Sequence, residues 1–466
     1  MRFFLTDGPL DPREIRQSAR ESGCARVRRN PMNARIVTLA LCLSLPLSLA
    51  SGAPGGKTER VSVDSHENPT PSGLSDSSSI SANGRFAAFD SAATTLVPHD
   101  TNGEFDVFLR DRATGKTTRI SVASNGDESV GGDSYAPSVS GNGRFIAFES
   151  QATNLVSHDT NQENDVFVHD RVTGKTERIS VATDGTEGNG ESSSPSISAN
   201  GRFVAFQSYA DNLVEGDENN ATDIFVRDRK KKTTVRVSLR TDGGEANHES
   251  FHPSISAKGR SIVFESRASN LAASDANDKL DVFLHDAKTG ETICLSLDTT
   301  GTQTGDKDSY HPMISANGRV VAFASQATNL VATGGNSQAD VFTFDRKTGI
   351  RARQSLTTLG TEITDAHCGE PSLSRNGRYL VFTSPSEQIV DSDTNHSTDV
   401  FVRDCKTGKT TRASLSVTGA ESTNPDAYYP TIAGGGKYAI FTSNATDLDQ
   451  AGDANNTGDI FVRKLR

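Results

Sequence analysis

Pro195-Ser-Ile-Ser-Ala-Asn-Gly-Arg-Phe203 is the phrase on which the fold turns, because versions of it recur along the whole chain. Its glycine falls at Gly84, Gly143, Gly201, Gly259, Gly318, Gly377 and Gly436, with steps of 59, 58, 58, 59, 59 and 59 residues. A fixed period of this length is the mark of a tandem array. Each unit reads as four strands. In the second, Ser138-Val-Ser140 is a short strand, and Asn142-Gly143 is a hairpin signal. Phe145-Ile-Ala-Phe148 is a strand apolar on both faces, Asp165–Asp170 alternates, and Thr173-Gly174 turns into a fourth strand over Thr176–Val181. A strand apolar on both faces needs a neighbour on each side, which radially stacked blades supply.

The two ends agree with a closed ring. The last unit stops after its third strand, Asp459–Arg463, while a spare fourth-strand phrase, Lys57-Thr-Glu-Arg-Val-Ser-Val63, opens the array. Residues 57–63 are therefore expected to complete the last blade and remove an open sheet edge. The expected architecture is all-β: a seven-bladed propeller of four-stranded antiparallel blades over residues 54–466, closed by the N-terminal strand.

Residues 1–53 read as an extension and a secretory signal peptide. Arg35 precedes the apolar run Ile36–Leu49, and the small residues Ala50-Ser51-Gly52-Ala53 follow. A short basic region, a short apolar region and small residues are the parts of such a signal, with Met32 a candidate true start. The apolar run is too short to span a bilayer comfortably, so no membrane span is expected. The reading is of a periplasmic or secreted protein.

Composition narrows the partners. Hydrophobic residues make up 34% of the chain, yet they fall in short, regularly spaced runs that argue against disorder. Without residues 1–53 the chain keeps 40 basic and 55 acidic residues, a net charge of −15. That balance disfavours nucleic acid and anionic lipid, which reward basic surfaces. The cysteines left, Cys294, Cys368 and Cys405, give no disulfide framework, and Cys368 and Cys405 are read as a strand's length apart. Nothing suggests an oligomer, so a monomer is expected.

The phrases Pro195–Phe203 and Asp165-Val-Phe-Val-His-Asp-Arg-Val-Thr-Gly-Lys175 resemble the TolB-like, WD-type β-propeller repeats, across nearly all of residues 57–466. The resemblance implies a propeller and says little of function, because such folds serve many roles. TolB itself has a separate α/β domain and a six-bladed propeller. Seven units here, with no room for that domain, put a role in the Tol envelope system in doubt.

Strand alternation places the loop between the second and third strands on the same face as the link to the next blade, here called the top. These loops repeat Asp-x-Asn-x-x-x-Asp: Asp100/Asn102/Asp106, Asp159/Asn161/Asp165, Asp217/Asn219/Asp223, Asp275/Asn277/Asp281, Asp393/Asn395/Asp399 and Asp453/Asn455/Asp459. The fifth unit departs from it, with Gly334/Asn336/Asp340. Closely spaced oxygen ligands suit calcium, although the EF-type glycine and distal glutamate are missing and no cofactor is required by the fold. The other reading is Asx-turns, with the last aspartate capping backbone N–H groups at the start of the third strand. Lys230-Lys231-Lys232, in place of a glycine-bearing turn, reads as a solvated hairpin.

A second set enters the innermost strands: Tyr135, Phe251, His252, Tyr310, His311, Tyr428 and Tyr429. Placed around the mouth of the central channel, these rings would stack on or hydrogen-bond to a sugar or peptide; otherwise they pack beneath neighbouring loops. There is no Gly-x-Ser-x-Gly, His-Glu-x-x-His or Cys-x-x-Cys. Binding of a protein or carbohydrate ligand at the top face is therefore the leading expectation. One alternative is a metal-assisted carbohydrate-active enzyme resembling the oligogalacturonate lyases, using His248, His252, His311 and His367. The other is an envelope assembly scaffold.

Overall fold

A computed structural model of the chain describes residues 56–466, apart from 274, 276, 334, 424, 425, 451–454 and 456. The signal segment, Gly334 and Asp453 thus lie outside the described residues. The rest forms seven antiparallel four-stranded sheets, and the inner strands of the first and last touch, which closes the ring. No helix among the described residues is long and apolar enough to cross a membrane.

The second blade shows the plan: Ser134–Val139 innermost, then Phe145–Ser150, Asp165–Asp170 and Lys175–Arg178. The inner strand is longer than its sequence suggested and already contains Tyr135. The second strand also runs past Phe148 through two polar residues.

Core packing follows from cross-strand register. Phe148 lies opposite Phe167 with ring centroids 5.8 Å apart, and each blade repeats the pair, from Phe89–Phe108 at 5.9 Å to Phe441–Phe461 at 6.3 Å. The apolar clusters lie between blades: Phe86, Val107 and Ile120 of the first blade meet Ile146 and Phe148 of the second. A sheet buried on both faces in this way explains why the second strands lack the usual alternation.

Closure occurs as expected. Thr58–Arg60 pairs with Asp459–Lys464, Arg60 standing opposite Phe461, and the Val61 amide donates to the Ile460 carbonyl at 2.8 Å. At the bottom hairpins the glycine is required by contact as well as by backbone. Gly201 has φ 71°, and a Cβ there would lie 2.1 Å from the Phe145 ring of the preceding blade.

Candidate functional site: the mouth of the central channel

In all seven blades one residue of the inner strand is left-handed: Ser77, Ala136, Ser194, His252, His311, Glu370 and Tyr429 have φ between 30° and 52°. It is the third residue of every inner strand except the sixth, Gly369–Leu373, where Glu370 is the second. None is glycine, so each carries backbone strain of about 1 kcal/mol. A register shift at the same place marks a β-bulge in each inner pair. Bulges re-aim side chains, and non-glycine residues held at positive φ gather at functional sites.

The freed backbone N–H groups are taken up by the neighbouring blade. Ala136 donates to Asp90 Oδ2 at 3.0 Å, Ser194 to Glu149 Oε2 at 2.7 Å, His252 to Gln207 Oε1 at 2.9 Å and His311 to Glu265 Oε2 at 2.6 Å. In the last blade Tyr429 donates to Glu370 Oε2 at 2.7 Å. Asp90, Glu149, Gln207 and Glu265 all hold the fifth position of a second strand, inside Phe-x-Ser. That position reads Asp, Glu, Gln, Glu, Ala, Thr, Thr around the ring, between a phenylalanine and a serine that never change. Sequence reasoning passed over it, though variation at one place in a fixed phrase was the available signal.

The mouth is therefore acidic. Asp76, Asp90, Glu149, Glu265 and Glu370 converge there, and neither the inner strands nor the fifth positions carry Lys or Arg. Asp90 is 1% exposed, and burial pushes its carboxyl well above the usual range, with Asp76 and Glu149 adding like-charge repulsion. Burial also raises Asp76 and Glu370. Glu265, 4% exposed, goes the other way: burial would raise it, but a 2.8 Å contact with His252 Nδ1 and the nearby His311 outweigh that and lower it. Burial pulls His252 down while the Glu265 contact and the charge of Glu149 raise it, and the net effect is upward. The His252 side chain is half exposed. The lower end of the channel mixes Ile80, Ile197, Ile314 and Ile432 with Ser196 and Arg375.

The seven expected mouth residues fall on separate arcs. His252 and His311 meet edge-to-face at 5.2 Å, and Tyr310 meets His311 at 5.2 Å. Tyr428 and Tyr429 pair at 6.5 Å in the last blade, and Phe251 stands opposite Glu265. Tyr135 packs on Phe105 at 5.1 Å and donates its hydroxyl to Asp133, so it supports a loop. Of the remaining histidines, His248 sits beside Glu249, and the His367 carbonyl accepts the Ser384 hydroxyl.

The Asp-x-Asn-x-x-x-Asp loops are built around an arginine. In the first, Arg119 Nη1 lies 3.2 Å from Asp100, 2.8 Å from Asp106 and 2.9 Å from Glu128. Arg178 joins Asp159, Asp165 and Glu187, and Arg236 joins Asp217, Asp223 and Glu245. Arg353 joins Asp340 and Glu362, and Arg60 reaches Asp459 from the N-terminal strand. Asp393, Asp399 and Glu421 form an acidic cluster with the spacing to hold a metal ion, and Arg412 contacts all three. Burial pushes Asp100, Asp159 and Asp217 up to about 6 and Asp393 up to about 7, each against the pull of its arginine.

Each asparagine of these loops uses its side-chain oxygen in an Asx-turn. Asn102 Oδ1 accepts the Glu104 amide at 3.1 Å, and Asn161 Oδ1 accepts the Glu163 amide at 3.1 Å. Asn219 accepts from Ala221 at 2.9 Å, and Asn277 from Lys279 at 2.9 Å. Asn395 accepts from Ser397 at 3.0 Å, and Asn455 from Thr457 at 3.0 Å. The amide ends are donors and repel a cation. Nδ2 of Asn102, Asn161, Asn219 and Asn395 donates to Asp106, Asp165, Asp223 and Asp399, at 2.9–3.2 Å. Nδ2 of Asn277 and Asn455 donates instead to the Gly305 and Thr70 carbonyls.

The last aspartate, however, does not cap the backbone directly. Asp106 accepts the Ser121 hydroxyl at 2.5 Å, and Ser121 Oγ in turn accepts the Val107 amide at 3.0 Å. The Arg-x-Ser of the fourth-strand phrase, Arg119-Ile-Ser121, is thus half of the loop's construction, and its regular spacing was visible in the sequence.

No protein-family model and no curated protein matches the sequence. Solved structures do. An oligogalacturonate lyase in complex with manganese is similar at TM-score 0.53 and 11% identity, covering 89% of this chain and 95% of that one. The β-propeller domain of the Trilobed protease from Pyrococcus furiosus is similar at TM-score 0.52 and 10% identity, covering 84% and 94%. TolB from Acinetobacter baumannii matches at 17% identity and TM-score 0.38, over 66% of this chain and only 58% of that protein's length. What the chain shares with the lyase and the protease domain is the propeller fold.

Proposed function

We propose that the protein is an exported binding module whose channel mouth takes a cationic group, the protonated amine or guanidinium of a basic peptide segment on a partner protein. The observation that carries this reading is the ring of carboxylates Asp76, Asp90, Glu149, Glu265 and Glu370, gathered at the inner-strand bulges and faced by Lys or Arg on none of the inner strands. A ligand cation would let Asp76, Asp90 and Glu370 ionise, so binding would tighten as pH rises through their raised pKa values. Tyr428, Tyr429, Tyr310 and His311 flank the ring and offer faces for cation–π and stacking contacts. Export is supported by the apolar run Ile36–Leu49 and the small residues after it, and secreted material should begin between Ser51 and Pro54.

The test is calorimetric titration with a lysine-rich tetrapeptide, its acetylated counterpart and an oligogalacturonate with manganese. Binding of the lysine peptide alone, weakened by salt and by Glu149→Gln or Glu370→Gln, is expected. No binding, or equal binding of the acetylated peptide, would sink the proposal. The His252–Glu265–His311 contact keeps the carbohydrate enzyme as a second reading; an ultraviolet-absorbing unsaturated uronide formed from the oligogalacturonate would establish it instead.

A further inference from the structure

The fourth blade breaks the arginine rule in two places at once. At the position of Arg119, Arg178, Arg236, Arg353, Arg412 and Arg60 it has Cys294, two residues before Ser296. At the position of Glu128, Glu187, Glu245, Glu362 and Glu421 it has Thr304, which bridges to Leu297 as those glutamates' backbones bridge to their own partners. Both aspartates remain. Asp275 is 7% exposed and Asp281 0%, and neither oxygen of Asp275 nor Oδ2 of Asp281 has a hydrogen-bond partner. Only Asp281 Oδ1 is bonded, accepting the Ser296 hydroxyl at 2.5 Å. Asn277 lies near enough to ease the burial of both carboxyls, but it forms no well-aligned hydrogen bond to either. In the sister loops the second oxygen of that aspartate faces a guanidinium, as Asp106, Asp165, Asp223 and Asp399 do.

Two buried carboxylates with no cation cannot both stay ionised without compensation. Burial pushes Asp275 up to about 6 and Asp281 up to about 7, the latter helped by the Asp275 charge. Cys294 supplies no charge, because burial drives its thiol far above its ordinary value and the two aspartates raise it further. Cys294 also lines a surface cleft of about 650 Å³, with Arg240, Asn270 and Leu271 among its walls but neither Asp275 nor Asp281.

We infer that the fourth blade holds a hard divalent cation, calcium in an exported protein, in the position that a guanidinium occupies in its sister loops. Asp275 and Asp281 Oδ2 supply the protein oxygens and water completes the shell, as hard cations accept. The arrangement is one site per chain, independent of any ligand at the channel mouth.

Equilibrium dialysis of the whole secreted chain against millimolar Ca²⁺, and separately Mg²⁺ and Zn²⁺, followed by metal analysis, tests this. One Ca²⁺ per chain is expected. Asp281→Asn and the double variant Cys294→Arg/Thr304→Glu, which rebuilds the sister arrangement, should each lose it, while Asp159→Asn keeps it. The double variant should also melt higher than the parent in EDTA, since it carries its own cation. If the double variant fails to fold, Asp281→Asn and Asp159→Asn still decide the matter. Three results would overturn the inference: no Ca²⁺ in the parent, which would leave the pair protonated; retention of the ion by Asp281→Asn; or Zn²⁺ bound in place of Ca²⁺.

Discussion

Arg60 and Asp459 meet at 3.0 Å, one from the first strand of the propeller and the other from the last. The contact repeats what Arg119 and Asp106 do inside the first blade, except that here the two residues come from opposite ends of the ring. The same motif that stiffens each top loop therefore latches the closure, and Ser62 adds a 2.5 Å hydrogen bond to Asp459.

Arg60→Ala should accordingly cost far more than loss of a surface pair. Its side chain and that of Asp459 are essentially buried, and removing one partner strands the other, at about 3–5 kcal/mol. Arg85, paired with Asp111 at the exposed bottom face, is the control: Arg85→Ala should cost far less, because solvent screens the pair. Denaturant unfolding of both variants makes the comparison. Equal small losses would mean that the N-terminal strand contributes little to closure.

Two glycines with the same backbone separate strain from contact. Gly174 and Gly201 both have φ 71°, but a Cβ at Gly174 meets open space while one at Gly201 strikes Phe145. Gly174→Ala should cost about 1 kcal/mol from the left-handed backbone alone. Gly201→Ala should add a further 1–3 kcal/mol or so, roughly the range for overpacking, against the next blade. Chemical denaturation measures both, and indistinguishable losses would discard the role assigned to the interblade contact.

Lys232 is the reverse case. It takes φ 58° in a hairpin where the other blades place a glycine such as Gly115, Gly174 or Gly290. Lys232→Gly should stabilise the protein by about 0.4–1 kcal/mol, less the added entropy of a glycine in the unfolded chain. A lower unfolding midpoint in this variant would show that the lysine side chain holds the turn in some other way.

The ring, its seven blades and its closure were legible because a repeat states its geometry seven times over. The Asn-Gly turns needed no further information, whereas the Phe-Phe pairs emerge only from the strand register. The arginine at the centre of each top loop was less visible, since Arg119 and Asp106 belong to different phrases and only the folded blade brings them together. The asparagines between the aspartates were legible as turn formers, and Asn161 and Asn219 hold their turns just as that reading requires. The carboxylates of the channel mouth were hidden for another reason. Asp90, Glu149 and Glu265 follow an apolar strand that reads as ended, and the bulge that turns His252 and His311 toward them has no glycine to announce it. Cys294 looked like a stray cysteine until its position in the repeat showed which charge it had displaced.

The His252–Glu265 pair gives the channel mouth a pH signature with a definite sign. Glu265 is lowered in the folded state, so its share of the stabilisation is present above the ordinary glutamate range near 4.5 and is lost as pH falls through the lowered value. His252 is raised, so its share is present below 6.5 and is lost as pH rises through the raised value. The pair therefore stabilises the mouth most between those two limits. A histidine-selective NMR titration should find His252 above its ordinary value and His311, which burial lowers, below it. Glu265→Gln keeps an acceptor for the His311 amide but removes the charge, so His252 should drop below its ordinary value once burial acts almost unopposed, Glu149 being the remaining nearby carboxylate. If His252 titrates at or below its ordinary value in the parent protein, or is unmoved by Glu265→Gln, the two side chains are not an ion pair and the mouth carries one more uncompensated carboxylate.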